Sequence, residues 1–142
     1  MDDIIREIIS KYKTNCPFEI AEAENITIIH KDLGKNTNGF FYKVLGYYYI
    51  VLHEGLSYMF QRFTIAHELG HYFYDQGSSY FMIEQNSLQI TGKYERRANV
   101  FAIKLLCSNN AILPGETITE FFCRNGIPEE MHQYDYLFSA LK

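Results

Sequence analysis

Two histidines four residues apart, with a glutamate directly after the first, are the clearest chemical signal in this sequence. His67, Glu68 and His71 belong to the segment HELGH. On an α-helix, residues four positions apart lie on one face, about 6 Å from each other, so both imidazoles can bind one metal ion. Glu68 projects beside them, close enough to accept a proton from a metal-bound water without being a ligand. The motif therefore predicts two metal ligands and the general base of a zinc hydrolase.

The segment around this motif has the pattern of a single helix. No proline interrupts positions 57–76, and Ser57 is a suitable N-cap. Apolar side chains precede and follow the motif, as in a helix with one buried face. We therefore expect a rigid helix that holds both histidines in a fixed orientation.

A catalytic zinc site needs a third protein ligand and an open fourth position. Asp75 lies one turn beyond His71, but a straight helix carries it several ångströms past the metal. Glu95 is the better candidate, because it opens a second helical pattern that continues to Leu106. Asn99 follows one turn later on the same face, where its side-chain oxygen can accept a hydrogen bond from the free ring nitrogen of a ligand histidine.

Two segments resemble the ImmA/IrrE family of small metallo-endopeptidases. The first is RFTIAHELGH at 62–71, and the second has the pattern ExxANxFAxxLL at 95–106, with Pro114 after it. The resemblance covers about positions 17–114. Taken together, the two motifs are specific for this family.

The resemblance implies that His67, His71 and Glu95 bind Zn²⁺ and that Glu68 is the general base. Known members of the family cleave a helix-turn-helix transcriptional repressor, so a protein substrate of this type is implied as well. In this chain the proline that usually follows the Leu-Leu pair closely is displaced to position 114, and the C-terminal tail is short. The resemblance therefore supports the assignment of the metal ligands more directly than it supports any contact with a partner.

Length and composition indicate one metallopeptidase domain over 1–142. With 47% hydrophobic residues, the chain can bury one core and is too short for two. The net charge is −4 and the basic residues are scattered, so no direct contact with nucleic acid is expected. No apolar run approaches the roughly 18 residues of a membrane span, and the N-terminus lacks a signal-peptide pattern. We therefore expect a cytoplasmic protein without a membrane partner.

The remaining patterns predict an α+β fold, a small zincin-like domain in which a short sheet packs on a helix bundle that carries the HELGH helix. Strands are expected at 26–30, 40–44 and 47–53, the last two as a hairpin about Leu45-Gly46. Further helices are expected near 4–12, 17–25, 117–125 and 128–141. Residues 76–93 are expected to form an irregular loop or a short added strand beside the cleft.

Several alternatives stay open at the level of sequence. The phenol of Tyr48, Tyr72 or Tyr94 could stabilise the oxyanion, and the sequence does not choose among them.

Besides proteolysis of a peptide held against a strand edge, two functions remain. One is an antirepressor or sensor that binds the regulator without cleaving it, against which the intact Glu68 argues. The other is an amidohydrolase for a small molecule, which no small-ligand motif supports. A structural role is expected for Arg62, and solvated or hydrogen-bonded roles are expected for His30, His53 and His132.

Overall fold

The computed structural model describes residues 3–75 and 88–141. In chain order these residues form α1 (Asp3–Tyr12), α2 (Pro17–Ala23), β1 (Ile26–Lys31), β2 (Gly39–Val44), β3 (Tyr47–His53), α3 (Tyr58–Asp75), α4 (Leu88–Cys107), α5 (Ile118–Arg124) and a C-terminal 3₁₀ helix (Glu129–Leu141). One small sheet with several helices confirms the expected α+β class. Within the described ranges, no helix has both the length and the apolar character that crossing a membrane requires.

The three strands form one sheet in the order β1-β3-β2, with β1 parallel and β2 antiparallel to β3. The predicted hairpin is confirmed, since Val44 pairs with Tyr47 around a two-residue turn. Leu45 (φ 51°) and Gly46 (φ 83°) both have positive φ, as a type I′ turn requires. This turn matches the right-handed twist of the flanking strands, so it fixes the register between β2 and β3.

The central helix α3 packs against the sheet, α2 and α4. Ser57 caps its first turn, because Ser57 Oγ accepts a hydrogen bond from the backbone N–H of Phe60 at 3.4 Å. Ile65 and Leu69 of α3 are fully buried in the main core, which also contains Phe101 of α4. A helix packed on more than one side is held rigidly, so the side chains on its remaining face keep a fixed position.

Gly70, inside the HELGH motif, allows α3 and α4 to approach closely. A Cβ atom at this position would lie 3.0 Å from Ala98 Cα and 3.2 Å from Phe101 Cβ. Any larger residue would force α4 to move outward, because Ala98 Cα is a backbone atom. Glu95 lies less than one turn before Ala98, so this close approach also sets the distance from Glu95 to the histidines of α3.

We expect Gly70→Ala to destabilise the fold and to weaken metal binding at the Glu95 site. Overpacking costs about 1–3 kcal/mol, whereas the better helix propensity of alanine contributes about 1 kcal/mol in the opposite direction. Denaturant titration should therefore show a net loss of about 1 kcal/mol in the free energy of unfolding. Gly92→Ala in α4 is the matched control, because a Cβ there would meet no atom of the described residues within 4 Å, and it should stabilise. Undiminished stability in Gly70→Ala would contradict the close-approach role.

The expected loop over 76–93 is wrong for residues 88–93, which form the first turns of α4. Ile90, Thr91 and Gly92 have low helix propensity, so the pattern does not indicate a helix there. Once the following segment has nucleated, however, each further residue adds one backbone hydrogen bond at lower cost, and the helix extends through them. Residues 76–87, the rest of the expected loop, lie outside the described residues.

The C-terminal segment expected as a helix over 128–141 is a 3₁₀ helix rather than an α-helix. Met131, Tyr134 and Leu137 recur every three positions, and all three pack in or against the core. A spacing of three places side chains on one face of a 3₁₀ helix, which has three residues per turn. The three-residue spacing of this stripe is therefore consistent with a 3₁₀ helix.

Candidate metal centre

His67, His71 and Glu95 meet at one point between α3 and α4. The Nε2 atom of His67 lies 2.8 Å from Glu95 Oε2, and the Nε2 atom of His71 lies 3.1 Å from Glu95 Oε1. Ligand atoms from the three residues all lie within 4.8 Å of one another. The structure thus brings together the three residues that the sequence singled out as candidate ligands.

This donor set fits a metal ion. Two imidazole nitrogens and one carboxylate oxygen occur as the protein ligands of catalytic zinc sites, which leave the fourth position open. Tetrahedral geometry with bonds of roughly 2.0–2.1 Å separates the donor atoms by about 3.3 Å. The two observed nitrogen-to-oxygen separations, 2.8 and 3.1 Å, are close to that value. The side chain of Asp75, the other third ligand considered, lies outside the described part of the chain.

The site is charged and mostly buried. His71 is 1% exposed and Glu68 is 5% exposed, whereas the Glu95 side chain keeps 31% of its surface. Burial lowers the pKa of His67, but its hydrogen bond to Glu95 and the negative charges of Glu68 and Glu95 raise that pKa, to about 9 on balance. The carboxylates therefore favour a positive charge at this point. A bound metal ion would supply that charge in place of the imidazole proton.

Glu68 lies beside the donor atoms rather than among them. Its Oε2 atom is 4.0 Å from His67 Nε2, which exceeds hydrogen-bonding distance. Together with two of the donor residues, His67 and Glu95, Glu68 lines a cleft of about 300 Å³. A carboxylate in this position can reach a water molecule at the open side of the donor cluster.

Asn99 contacts the His67 ring on the side away from the donor cluster. The Oδ1 atom of Asn99 lies 2.8 Å from His67 Nδ1. Because an amide oxygen can only accept, the Nδ1–H of His67 is the donor in this hydrogen bond. The Nδ2 atom of Asn99 donates in turn to the Tyr134 hydroxyl at 3.4 Å. The amide therefore joins the His67 ring to the C-terminal 3₁₀ helix.

The cleft has a polar wall that sequence reasoning missed. Lys35, Asn36 and Asn38, in the turn before β2, line it together with Phe63 and Met131. The Asn/Gly-rich composition of this turn indicates a loop but not what the loop faces. A larger open groove of about 870 Å³ lies beside α2 and β1. It contains none of the donor residues, so we assign the site to the smaller cleft.

None of the three tyrosines considered for oxyanion stabilisation is among the described residues that line the cleft. The Tyr72 hydroxyl donates to Glu24 Oε1 at 2.6 Å, and burial together with Glu24 raises the pKa of Tyr72 well above its usual value. Tyr48 packs edge-on against Tyr72 and lines the larger groove. The ring of Tyr94 lies under the guanidinium of Arg97. The polar groups that face the cleft thus come from elsewhere in the chain.

The other residues noted in the sequence have structural contacts or are exposed. Arg62 Nη1 donates to the backbone carbonyl of Asn125 at 3.0 Å, which ties α3 to the end of α5. His53 accepts a hydrogen bond from a backbone N–H at 3.0 Å, and His132 donates to a backbone carbonyl at 3.1 Å. His30 is exposed on β1. These contacts agree with the structural role expected for Arg62 and with the solvated or hydrogen-bonded roles expected for the three histidines.

Comparisons with known proteins place this chain in a family. The model for Peptidase M78, described as an IrrE N-terminal-like domain, matches residues 21–118. The chain is 31% identical over 132 residues to "Uncharacterized immunity region protein 2" of Bacillus phage phi105, an alignment that covers 89% of this chain and 83% of that protein. It is 33% identical over 110 residues to Metallopeptidase ImmA of Bacillus subtilis, covering 76% of this chain and 63% of ImmA. No solved structure matches the chain significantly.

The region that matches the family model contains all three candidate ligands, His67, His71 and Glu95. One of the relatives is itself named a metallopeptidase. The convergence of two imidazoles and a carboxylate supplies the metal-binding group that such an activity requires. These observations support a metallopeptidase with a metal cofactor, and the chain belongs to the Peptidase M78 family of ImmA/IrrE proteins.

Proposed function

We propose that this chain is a zinc-dependent endopeptidase, with residues 1–142 forming a single zincin-like domain. The observation that carries the proposal is the convergence of His67, His71 and Glu95. Two of these residues, His67 and Glu95, line a cleft together with Glu68. The three ligands and the base correspond to the parts of a metallopeptidase site that the chain itself must supply. Imidazole and carboxylate donors in a site with one open position favour zinc among the common metals.

The protein residues have distinct roles in the proposed reaction. Zinc, when bound, supplies a Lewis acid for the scissile carbonyl and lowers the pKa of water toward about 7. Glu68 accepts the proton of the attacking water on its carboxylate and passes it to the nitrogen of the leaving amine. Asn99 holds the His67 ring in place through the Nδ1–H donor. The buried position of Glu68 keeps its carboxylate close to the reacting groups.

The free edge of β2 supports an extended peptide as the substrate. In the described part of the chain, β2 pairs only with β3. Asn38 O accepts from His53 N at 2.7 Å, so Asn38 directs its backbone toward β3. In an antiparallel ladder the next residue, Gly39, directs its backbone N–H and C=O outward. Because Gly39 lines the cleft, a peptide that pairs with this edge would pass over the donor cluster.

We propose a helix-turn-helix repressor of a phage or mobile element as the protein substrate, and the cytoplasm as the location where the two meet. The support is that one relative is named an immunity region protein and the other is ImmA. A net charge of −4 gives no reason to expect direct binding to nucleic acid. The chain would therefore recognise the regulator as a protein.

The proposed function is tested with the purified chain and a helix-turn-helix repressor encoded beside its gene. Mass spectrometry should find repressor fragments from one or a few cleavage sites. A chelator should stop fragment formation, and added zinc should restore it. Relief of repression in a reporter assay without any fragments would contradict the peptidase and favour an antirepressor that binds without cleaving.

Asn99→Leu is expected to weaken the metal site without abolishing it. Leucine keeps a similar volume but removes the acceptor for His67 Nδ1, so the ring loses its fixed orientation. Losses of this kind are typically about 10- to 100-fold in metal affinity or activity. Asn99→Asp should retain most of the function, because a carboxylate accepts the same hydrogen bond. Chelator competition measures the zinc affinity of all three proteins, and parent-like affinity in Asn99→Leu would contradict this role.

A further inference from the structure

The C-terminal 3₁₀ helix reaches the candidate metal centre through one side chain. This helix lies outside residues 21–118, which match the family model. Tyr134 is 8% exposed and belongs to the core, and its hydroxyl accepts a hydrogen bond from Asn99 Nδ2 at 3.4 Å. On its other side, Asn99 Oδ1 faces His67 Nδ1 at 2.8 Å. Hydrogen bonds therefore connect the 3₁₀ helix to a candidate zinc ligand.

The 3₁₀ helix is anchored independently of this contact. The Phe138 ring packs edge-on against α5, with its centroid 5.5 Å from that of Phe121 and 5.6 Å from that of Phe122. Met131, one 3₁₀ turn before Tyr134 on the same face, lines the cleft. Tyr134 thus belongs to a segment that other contacts hold in place.

The Asn99 amide has two orientations, related by rotation about its last side-chain bond. In one, its oxygen accepts from the His67 N–H; in the other, its NH₂ group faces that N–H and two donors oppose each other. The His67 N–H selects the first orientation, because only there does it face an acceptor. In that orientation the Tyr134 hydroxyl accepts from the NH₂ group, so the far side of the amide also has a partner that holds it in place.

We propose that Tyr134 is a positioning residue of the metal centre: it fixes the Asn99 amide and, through it, the orientation of the His67 ring. The inference rests on the proposed metal site and extends it beyond the matched family region. It gives the C-terminal segment a role in metal binding as well as in packing.

Tyr134→Phe is the direct test, because phenylalanine keeps the buried ring and removes only the hydroxyl. Chelator competition should show zinc affinity about 3- to 10-fold below that of the parent chain, less than the loss expected on removing a direct partner of the ligand. The visible absorption spectrum of the Co²⁺-loaded protein should also change, since it depends on the ligand field of His67. Tyr136→Phe is the matched control: Tyr136 lies in the same helix but is 58% exposed, and both readouts should match the parent.

A double-mutant cycle separates positioning from packing. In an Asn99→Leu background the Tyr134→Phe change should have no further effect on zinc affinity, because the amide that connects Tyr134 to His67 by hydrogen bonds is absent. Equal losses in both backgrounds would overturn the inference, as would parent-like zinc affinity and Co²⁺ spectrum in Tyr134→Phe alone. A parent chain that binds no zinc would instead contradict the metal site itself, so the two failures are distinguishable.

Discussion

Glu68→Gln is expected to keep the metal and to lose about 10²- to 10⁴-fold in the rate of repressor cleavage. Glutamine has the same shape as glutamate but cannot accept a proton at neutral pH, so only the general base is removed. Because Glu68 Oε2 lies 4.0 Å from His67 Nε2, outside hydrogen-bonding distance, the donor cluster should survive the change. Metal analysis should find about one zinc per chain in the variant, as in the parent chain.

The same variant separates the two candidate functions. A peptidase with Glu68→Gln should still bind the repressor but leave it intact, so a reporter gene should remain repressed. A stoichiometric antirepressor should relieve repression equally well with either residue. Glu54→Gln is the matched control, since Glu54 is an exposed glutamate outside the cleft and the change should affect neither zinc content nor cleavage. Loss of zinc in Glu68→Gln would show that Glu68 is a ligand rather than the base.

The parts of the molecule that the sequence predicts well depend on local spacing. His67 and His71 can be placed side by side from sequence because residues four apart share a helix face whatever surrounds the helix. The hairpin between β2 and β3 is predictable for the same reason, since Leu45-Gly46 lies between two short segments rich in aromatic and β-branched residues. Glu95 required a second helical pattern and the family resemblance, because the contact between α3 and α4 joins distant parts of the chain.

The parts that the sequence does not predict depend on contacts between distant segments. The turn containing Lys35 and Asn36 has a loop composition, and only the folded chain shows that it faces the donor cluster. Tyr134 lies 35 positions from Asn99 in a segment whose periodicity predicts little more than packing. The start of α4 at Leu88 is not predictable from sequence, because the residues that follow Leu88 have low helix propensity. They are helical because the helix extends into them from the rest of α4.

His67→Ala and Glu95→Ala are expected to lose most of the zinc. Each removes one of three protein ligands, and two donors alone rarely hold zinc against a chelator. After dialysis against a weak chelator, the parent chain should retain about one zinc per chain and both variants less than about 0.2. His30→Ala is the matched control, because this histidine is exposed on β1 and should leave the zinc content unchanged.

Thermal unfolding gives an independent measure of the same ligands. An ion that binds only the native chain stabilises it by about 2.7 kcal/mol when its free concentration is 100 times the dissociation constant. Added zinc should therefore raise the melting temperature of the parent chain and of His30→Ala, but not that of His67→Ala or Glu95→Ala. Because the shift is measured within each variant, it is independent of any stability that the substitution itself removes. Full zinc content together with a normal zinc-induced shift in both variants would contradict the assignment of His67 and Glu95 as ligands.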